Sequence, residues 1–137
     1  MTAAVKPLPP LRLSGNPLAR RNALIDEREQ QKCAKCGVTI WAGASRHHRK
    51  FRSRRGGDEV SNGLLMCGSG TTGCHGWAHM NPRAARELGF AVESHEDPTQ
   101  VPVKHVLHGW VYLDDLGGVH QSPPPLELTV KSQRGAA

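Results

Sequence analysis

Four cysteines, Cys33, Cys36, Cys67 and Cys74, constrain this chain more than any other feature of its sequence. Cys33 and Cys36 have the spacing of a metal knuckle, in which a tight turn aims two thiolates at one ion. A tetrahedral site needs two further ligands, and Cys67 and Cys74 can supply them. The residues between that second pair are Gly, Ser and Thr, so the segment can bulge without moving its ends. In a reducing compartment two spaced pairs read as metal ligands rather than disulfides. Composition points the same way. Leu, Ile, Val and Phe together make up about a fifth of the 137 residues, near the level at which chains stay disordered. Within 33–80 only Val38, Ile40, Phe51, Val60, Leu64 and Leu65 are of this kind. A bound ion is expected to take over part of the work of a core there.

No apolar run is long enough for a membrane helix, and residues 1–10 lack the apolar stretch of a secretory signal. The expected location is the cytoplasm. Charge is unevenly distributed: residues 1–55 hold 13 Lys or Arg against 3 Asp or Glu, whereas the remainder is acidic. A basic half in a chain of net charge +6 suggests a polyanionic partner, most simply nucleic acid.

Residues 1–15 are Pro-rich and unpatterned and read as a flexible arm. Asn16 as N-cap and Pro17 at the first helical position open a partly exposed basic helix that should stop by Lys32. Residues 38–42 alternate as a strand would, with 39–41 the best β segment. Residues 49–61 carry a basic run and Gly56-Gly57 and read as a loop. Leu64-Leu65-Met66 is a short apolar segment ending at Cys67. A short helix over 74–80 would set His75 and His79 on one face, and a second, with Asn81 as N-cap and Pro82 at N1, ends at Gly89. Segments 101–107 and 110–120 read as strands, the second broken by the turn Asp114-Asp115-Leu116-Gly117-Gly118. Residues 122–137 read as a tail. In so small a core the three tryptophans, Trp41, Trp77 and Trp110, are expected inside.

Of the eight histidines, His95, His105, His108 and His120 are scattered and carry no assigned role. His47, His48, His75 and His79 fall beside the cysteine pairs, so a zinc framework would gather them. Neighbours on a strand point to opposite faces, and His47 and His48 would therefore need a strand end or bend to share a site.

The ordered string Cys33-x2-Cys36, His47-His48-Arg49-Lys50, Arg55-Gly56-Gly57, Ser61-Asn62-Gly63-Leu64-Leu65-Met66-Cys67 and Cys74-His75-x3-His79 resembles an HNH endonuclease with zinc-binding cysteine pairs. It is similar to the small nucleases of tailed phages, particularly actinobacterial phages, over about residues 33–80. The resemblance implies an α+β fold with a small ββα-metal core stapled by a four-cysteine zinc site, an N-terminal helix and a C-terminal β-hairpin. The divisions would be 1–15 arm, 16–92 nuclease domain, 93–121 hairpin extension and 122–137 tail. It further implies that His48 is the general base, that the side chain or backbone of Asn62 holds its imidazole, and that His47, His75 and His79 bind a catalytic divalent ion. Zinc would be structural and Mg²⁺ catalytic, with Mn²⁺ or Ni²⁺ able to substitute.

Imidazole is suited to activate water near neutral pH, and a cation with open positions is suited to take charge from phosphate oxygens. Arg46, Arg49, Lys50, Arg52, Arg54 and Arg55 would grip DNA phosphates. The resemblance also implies the host cytoplasm as location and phage genome packaging or processing as setting, with terminase as a partner. Gly63, where the family commonly has an apolar residue, predicts looser local packing. The competing reading is a non-catalytic zinc module that binds nucleic acid or a packaging partner.

Overall fold

The computed structural model describes residues 9–41 and 45–125, a small mixed assembly of helices and two antiparallel sheets. Helix α1, Gly15–Arg28, is followed by β1, Arg46–His48, and β2, Gly63–Leu65, which pair antiparallel with His47 opposite Leu64 and His48 opposite Gly63. Helices α2, Gly73–Met80, and α3, Pro82–Glu87, come next. Strands β3, Val103–His105, β4, Gly109–Leu113, and β5, Val119–His120, close the order as a three-stranded sheet. Short 3₁₀ turns lie at Arg52–Arg54, Val60–Asn62 and Pro98–Gln100.

The N-terminal helix starts one residue before the expected cap. Ser14 is the N-cap, and Gly15 takes φ 58°, a left-handed conformation that favours glycine. Its buried residues, Arg21, Ile25 and Arg28, recur at helical spacing on one face. Two of those three are arginines, so this face is held largely by hydrogen bonds. The Arg28 guanidinium pairs with Glu29 at 2.7 and 2.8 Å and donates to the carbonyls of Val60 and Gly63. Glu29, wholly buried, also accepts from the Leu65 amide and lies 3.0 Å from His105 Nε2. One buried carboxylate thereby links α1, β2 and β3.

The strand expected over 39–41 is not formed: a single bridge joins Lys32 to Thr39, and β1 lies further on, at Arg46–His48. The preceding residues are committed to the cysteine turn, where the Cys33 amide donates to Val38 O, and Ile40 N donates to Gln31 O. Leu64 and Leu65 are both buried although they alternate across β2. Leu65 joins Ile25 and Val60 on the α1 side, while Leu64 joins Phe90, Val103, Val111 and Leu113. A strand covered on both faces accounts for the unbroken apolar run.

Gly63 does not loosen this packing. A Cβ there would sit 2.4 Å from Ile25 Cδ1 and 2.6 Å from an Arg21 nitrogen, so the missing side chain is what lets α1 close on β2. The C-terminal strands form a three-stranded meander instead of a two-stranded hairpin, and they share the core with Cys33 and Leu64. Residues 9–14 are likewise no free arm. Leu11 O accepts from Asp58 N, and Leu13 N donates to the Asp58 carboxylate. At the other end, Pro124 O accepts from Gln100 Nε2, which ties down the start of the expected tail. The expectations for residues 1–8 and 126–137 lie outside the described residues.

Two of the three tryptophans are not inside. Trp41 is 85% exposed and Trp110 49%, while Trp77 packs edge-on against Phe90 with Lys35 Nζ over its ring. Val38 and Met80 are also exposed, and the core is built instead from aliphatic side chains together with Met66 and Phe90.

Candidate functional site

The four cysteines converge. Their sulfurs all lie within 4.8 Å of one another, and Cys36 Sγ is 3.8 Å from Cys67 Sγ. Two thiolates bound at ~2.3 Å to a tetrahedral ion would be ~3.8 Å apart, so this edge has the length a metal requires. The amides of Cys36 and Cys74 point at the sulfurs of Cys33 and Cys67, at 3.5 and 3.4 Å. Burial opposes ionisation of Cys33, but backbone N–H donors outweigh it and bring its pKa to about 7. Burial and the neighbouring thiols push Cys74 up, and burial raises Cys36. Four thiols crowded in this way cannot all ionise unaided, and a divalent cation relieves that repulsion. The segment between Cys67 and Cys74 bulges as expected: Ser69 and Thr72 bridge, and Cys67 O accepts from His75 N at the start of α2.

A second cluster also draws on α2. One ring nitrogen from each of His47, His75 and His79 falls within 4.8 Å of the others. His75 and His79, one turn apart, bring their Nε2 atoms to 3.1 Å. His47 Nε2 donates to Phe90 O at 2.6 Å, which leaves Nδ1 as the lone-pair nitrogen. That Nδ1 is buried and has no hydrogen-bond partner among the described residues. Ligating histidines characteristically spend their other nitrogen on a carbonyl or hydroxyl, as His47 does on Phe90 O and His75 Nδ1 does on Ser45 Oγ at 2.7 Å. Burial lowers the pKa of His47 to about 3 and of His75 to about 4, keeping both neutral as metal ligands must be. Phe51 stacks on the exposed His79 ring at 4.8 Å. The residues fit a divalent ion.

His48 ends β1. Its Nε2 meets Asp58 Oδ1 at 2.8 Å, and burial lowers its pKa against the opposing pull of that carboxylate. Among the described residues no hydrogen bond or ring contact joins His48 to the three-histidine cluster, but at the end of β1 it lies within electrostatic reach of both His47 and His75. The Asn62 side chain, expected with the Asn62 backbone as its alternative to hold the His48 imidazole, makes no hydrogen bond to that ring among the described residues. Its Oδ1 accepts from Lys50 N, and its Nδ2 donates to Lys50 O and Gly57 O, so it staples the two ends of the loop between β1 and β2. A fully buried amide spends its capacity on backbone groups first.

The expected phosphate-binding cations separate into different roles. Arg49 is corrected outright: it is wholly buried and donates to the carbonyls of Gly89, Ser61, Pro98 and Val101. It cannot meet DNA. Arg46 pairs with Asp26. Lys50 and Arg55 line a cavity of about 310 Å³ shared with the carboxylates of Glu59, Glu96, Asp97 and Asp115. Arg54 lies 5.2 Å from the Phe51 ring and 3.7 Å from Glu93, and Arg52 is exposed within electrostatic reach of His48. Those two remain beside the histidines.

Sequence reasoning missed Asp58, Ser45 and Phe90 at this site. Asp58 follows Gly56-Gly57 and had the look of any turn acid, and a backbone carbonyl such as Phe90 O has no sequence signature. No protein-family model, curated protein or solved structure matches the chain. No helix among the described residues is long and apolar enough to cross a membrane.

Proposed function

We propose that this chain is a metal-dependent endonuclease of the HNH type that cleaves or nicks DNA. The observations that carry the reading are the convergence of one ring nitrogen each from His47, His75 and His79, on two antiparallel strands and the following helix, and a buried His47 Nδ1 with no hydrogen-bond partner among the described residues. His48 is neutral near pH 7 and accepts the proton of the attacking water. His47, His75 and His79 would hold a divalent ion, which would supply Lewis acidity to the phosphate. Arg52 and Arg54 hold the flanking backbone. The products follow the family, 5′-phosphate and 3′-hydroxyl.

Zinc fits the four-thiolate site as the structural ion. The second site offers only imidazoles, a donor set that suits Mn²⁺, Ni²⁺ or Zn²⁺ better than the oxygen-seeking Mg²⁺. The resemblance extends the proposal to phage genome packaging or processing in the host cytoplasm, with terminase as partner. The test is plasmid nicking across a panel of Mg²⁺, Mn²⁺, Ni²⁺ and Zn²⁺, with His48→Ala as control. Cutting by the parent protein alone supports the reading. Equal cutting by both sinks it, and DNA binding without cutting by either leaves the non-catalytic zinc module.

A further inference from the structure

We propose that Asp58 is the positioning residue for the His48 imidazole, and that the N-terminal segment 11–13 is the strap that holds Asp58 in place. This assignment rests on the nuclease reading above. A carboxylate can only accept, so the 2.8 Å contact of Asp58 Oδ1 with His48 Nε2 requires the proton on Nε2. Neutral His48 then presents Nδ1 as its basic nitrogen, and Nδ1 has no hydrogen-bond partner among the described residues.

Asp58 is built into its position from several directions. Its second oxygen, Oδ2, accepts from Leu13 N at 2.9 Å, and its own amide donates to Leu11 O at 2.9 Å. Its carbonyl accepts from Arg21 Nε at 3.1 Å. The residue before it, Gly57, is held through its carbonyl by Asn62 Nδ2, and Gly56 O accepts from Arg12 Nη1 at 2.6 Å. A Cβ on Gly56 would lie 1.6 Å from Lys50 O, so only glycine lets the loop approach this closely. Every residue of 56–58 is thus pinned by a group from elsewhere in the chain.

Fastening the strap accounts for Oδ2 alone. Oδ1 is directed at His48, with the Asp58 side chain 7% exposed and that of His48 18%, which is not the geometry of an incidental surface pair. Burial opposes ionisation of Asp58, but His48 and the Leu13 amide outweigh it and keep the carboxylate charged. Replacing the carboxylate by an amide would allow an N–H to face Nε2 and so permit the wrong tautomer.

The experiment compares the full-length, zinc-loaded parent with Asp58→Asn and Asp58→Glu. Steady-state nicking is measured with the best metal of the panel, zinc content and thermal melting are followed alongside, and the His48 tautomer is read from its imidazole ¹⁵N resonances. The expected result is Nε2–H in the parent and a mixed or Nδ1–H ring in Asp58→Asn. In that variant kcat should fall about 100-fold with KM within about twofold, and Asp58→Glu should recover part of the loss. Parent-like kcat in a folded Asp58→Asn overturns the proposal and leaves the nuclease reading standing. So does an Nδ1–H tautomer in the parent, which needs no variant to fold. A parent that cuts with no ion overturns the nuclease reading and the catalytic part of this proposal with it; the tautomer then decides separately whether the pairing exists.

Discussion

His75 and His79 face each other across one turn of α2 with their Nε2 atoms 3.1 Å apart, and the lone-pair nitrogen of His47 completes the group from β1. Two imidazole nitrogens that close can share one proton or one cation between them. The protein with its cysteine site filled by zinc should therefore bind one further Mn²⁺ or Ni²⁺ per chain, measured by isothermal titration. His47→Ala or His75→Ala should weaken that binding at least 10-fold, and His79→Ala less, because its ring is exposed at the rim. Unchanged binding in His75→Ala would remove the site.

Cys33 is at once a member of the thiol cluster and a member of the main core. Removing the ion should therefore undo packing as well as coordination. Metal analysis is expected to return one tightly held zinc, and a strong chelator should unfold the domain cooperatively, followed by circular dichroism. Cys36→Ser should lose both zinc and fold, even though Cys36 itself is exposed. Retention of structure without metal would show that the aliphatic core suffices.

Arg49 and Arg52 stand three residues apart and should respond oppositely to mutation. Arg49→Ala strands four carbonyls in the interior and is expected to cost about 3–5 kcal/mol in denaturant unfolding. Arg52→Ala should leave stability within about 0.5 kcal/mol and reduce the salt dependence of DNA binding by about one counterion. If Arg49→Ala were stable and deficient only in DNA binding, its burial as described would be wrong.

Glu29 gives stability a dependence on acid. Its burial disfavours the charge, yet Arg28 and His105 outweigh that and hold its pKa at about 2, below the ordinary 4.5. A carboxylate whose folded pKa is depressed binds protons more readily when unfolded, so its contribution is complete above pH 4.5 and lost as pH falls from 4.5 towards 2. Glu29→Gln should destabilise the protein by about 3–5 kcal/mol at pH 7 and flatten the acid limb of a melting-temperature profile. A parallel acid limb in both proteins would assign it to other groups.

What could be read in the sequence lies mostly within one turn or one short segment. Cys33-x2-Cys36 implied a knuckle, Cys74-His75-x3-His79 implied one helical face, and Asn81-Pro82 followed by Gly89 marked both ends of α3. Each depends on local backbone geometry, which spacing encodes directly. The expected strand at 39–41 failed because residues 33–38 close the cysteine turn and Ile40 is bonded to the exit of α1; local alternation had no means of registering either tie.

Other features depended on partners far along the chain. Arg49 belonged to a basic run by sequence and to the interior by structure, because carbonyls from Ser61 to Val101 converge on it. His47 meets Phe90 O across 43 residues, and Glu29 meets His105 across 76. Asp58 acquires significance only where the loop, residues 11–13 and the end of β1 coincide. The sequence by itself determined which ligand types are present and which pairs share a turn. The tertiary structure alone decided which cations remain in solvent, which acid faces His48 and which histidine nitrogens are left with a lone pair. Hydrogen bonding between distant segments selects among side chains that local pattern treats as equivalent.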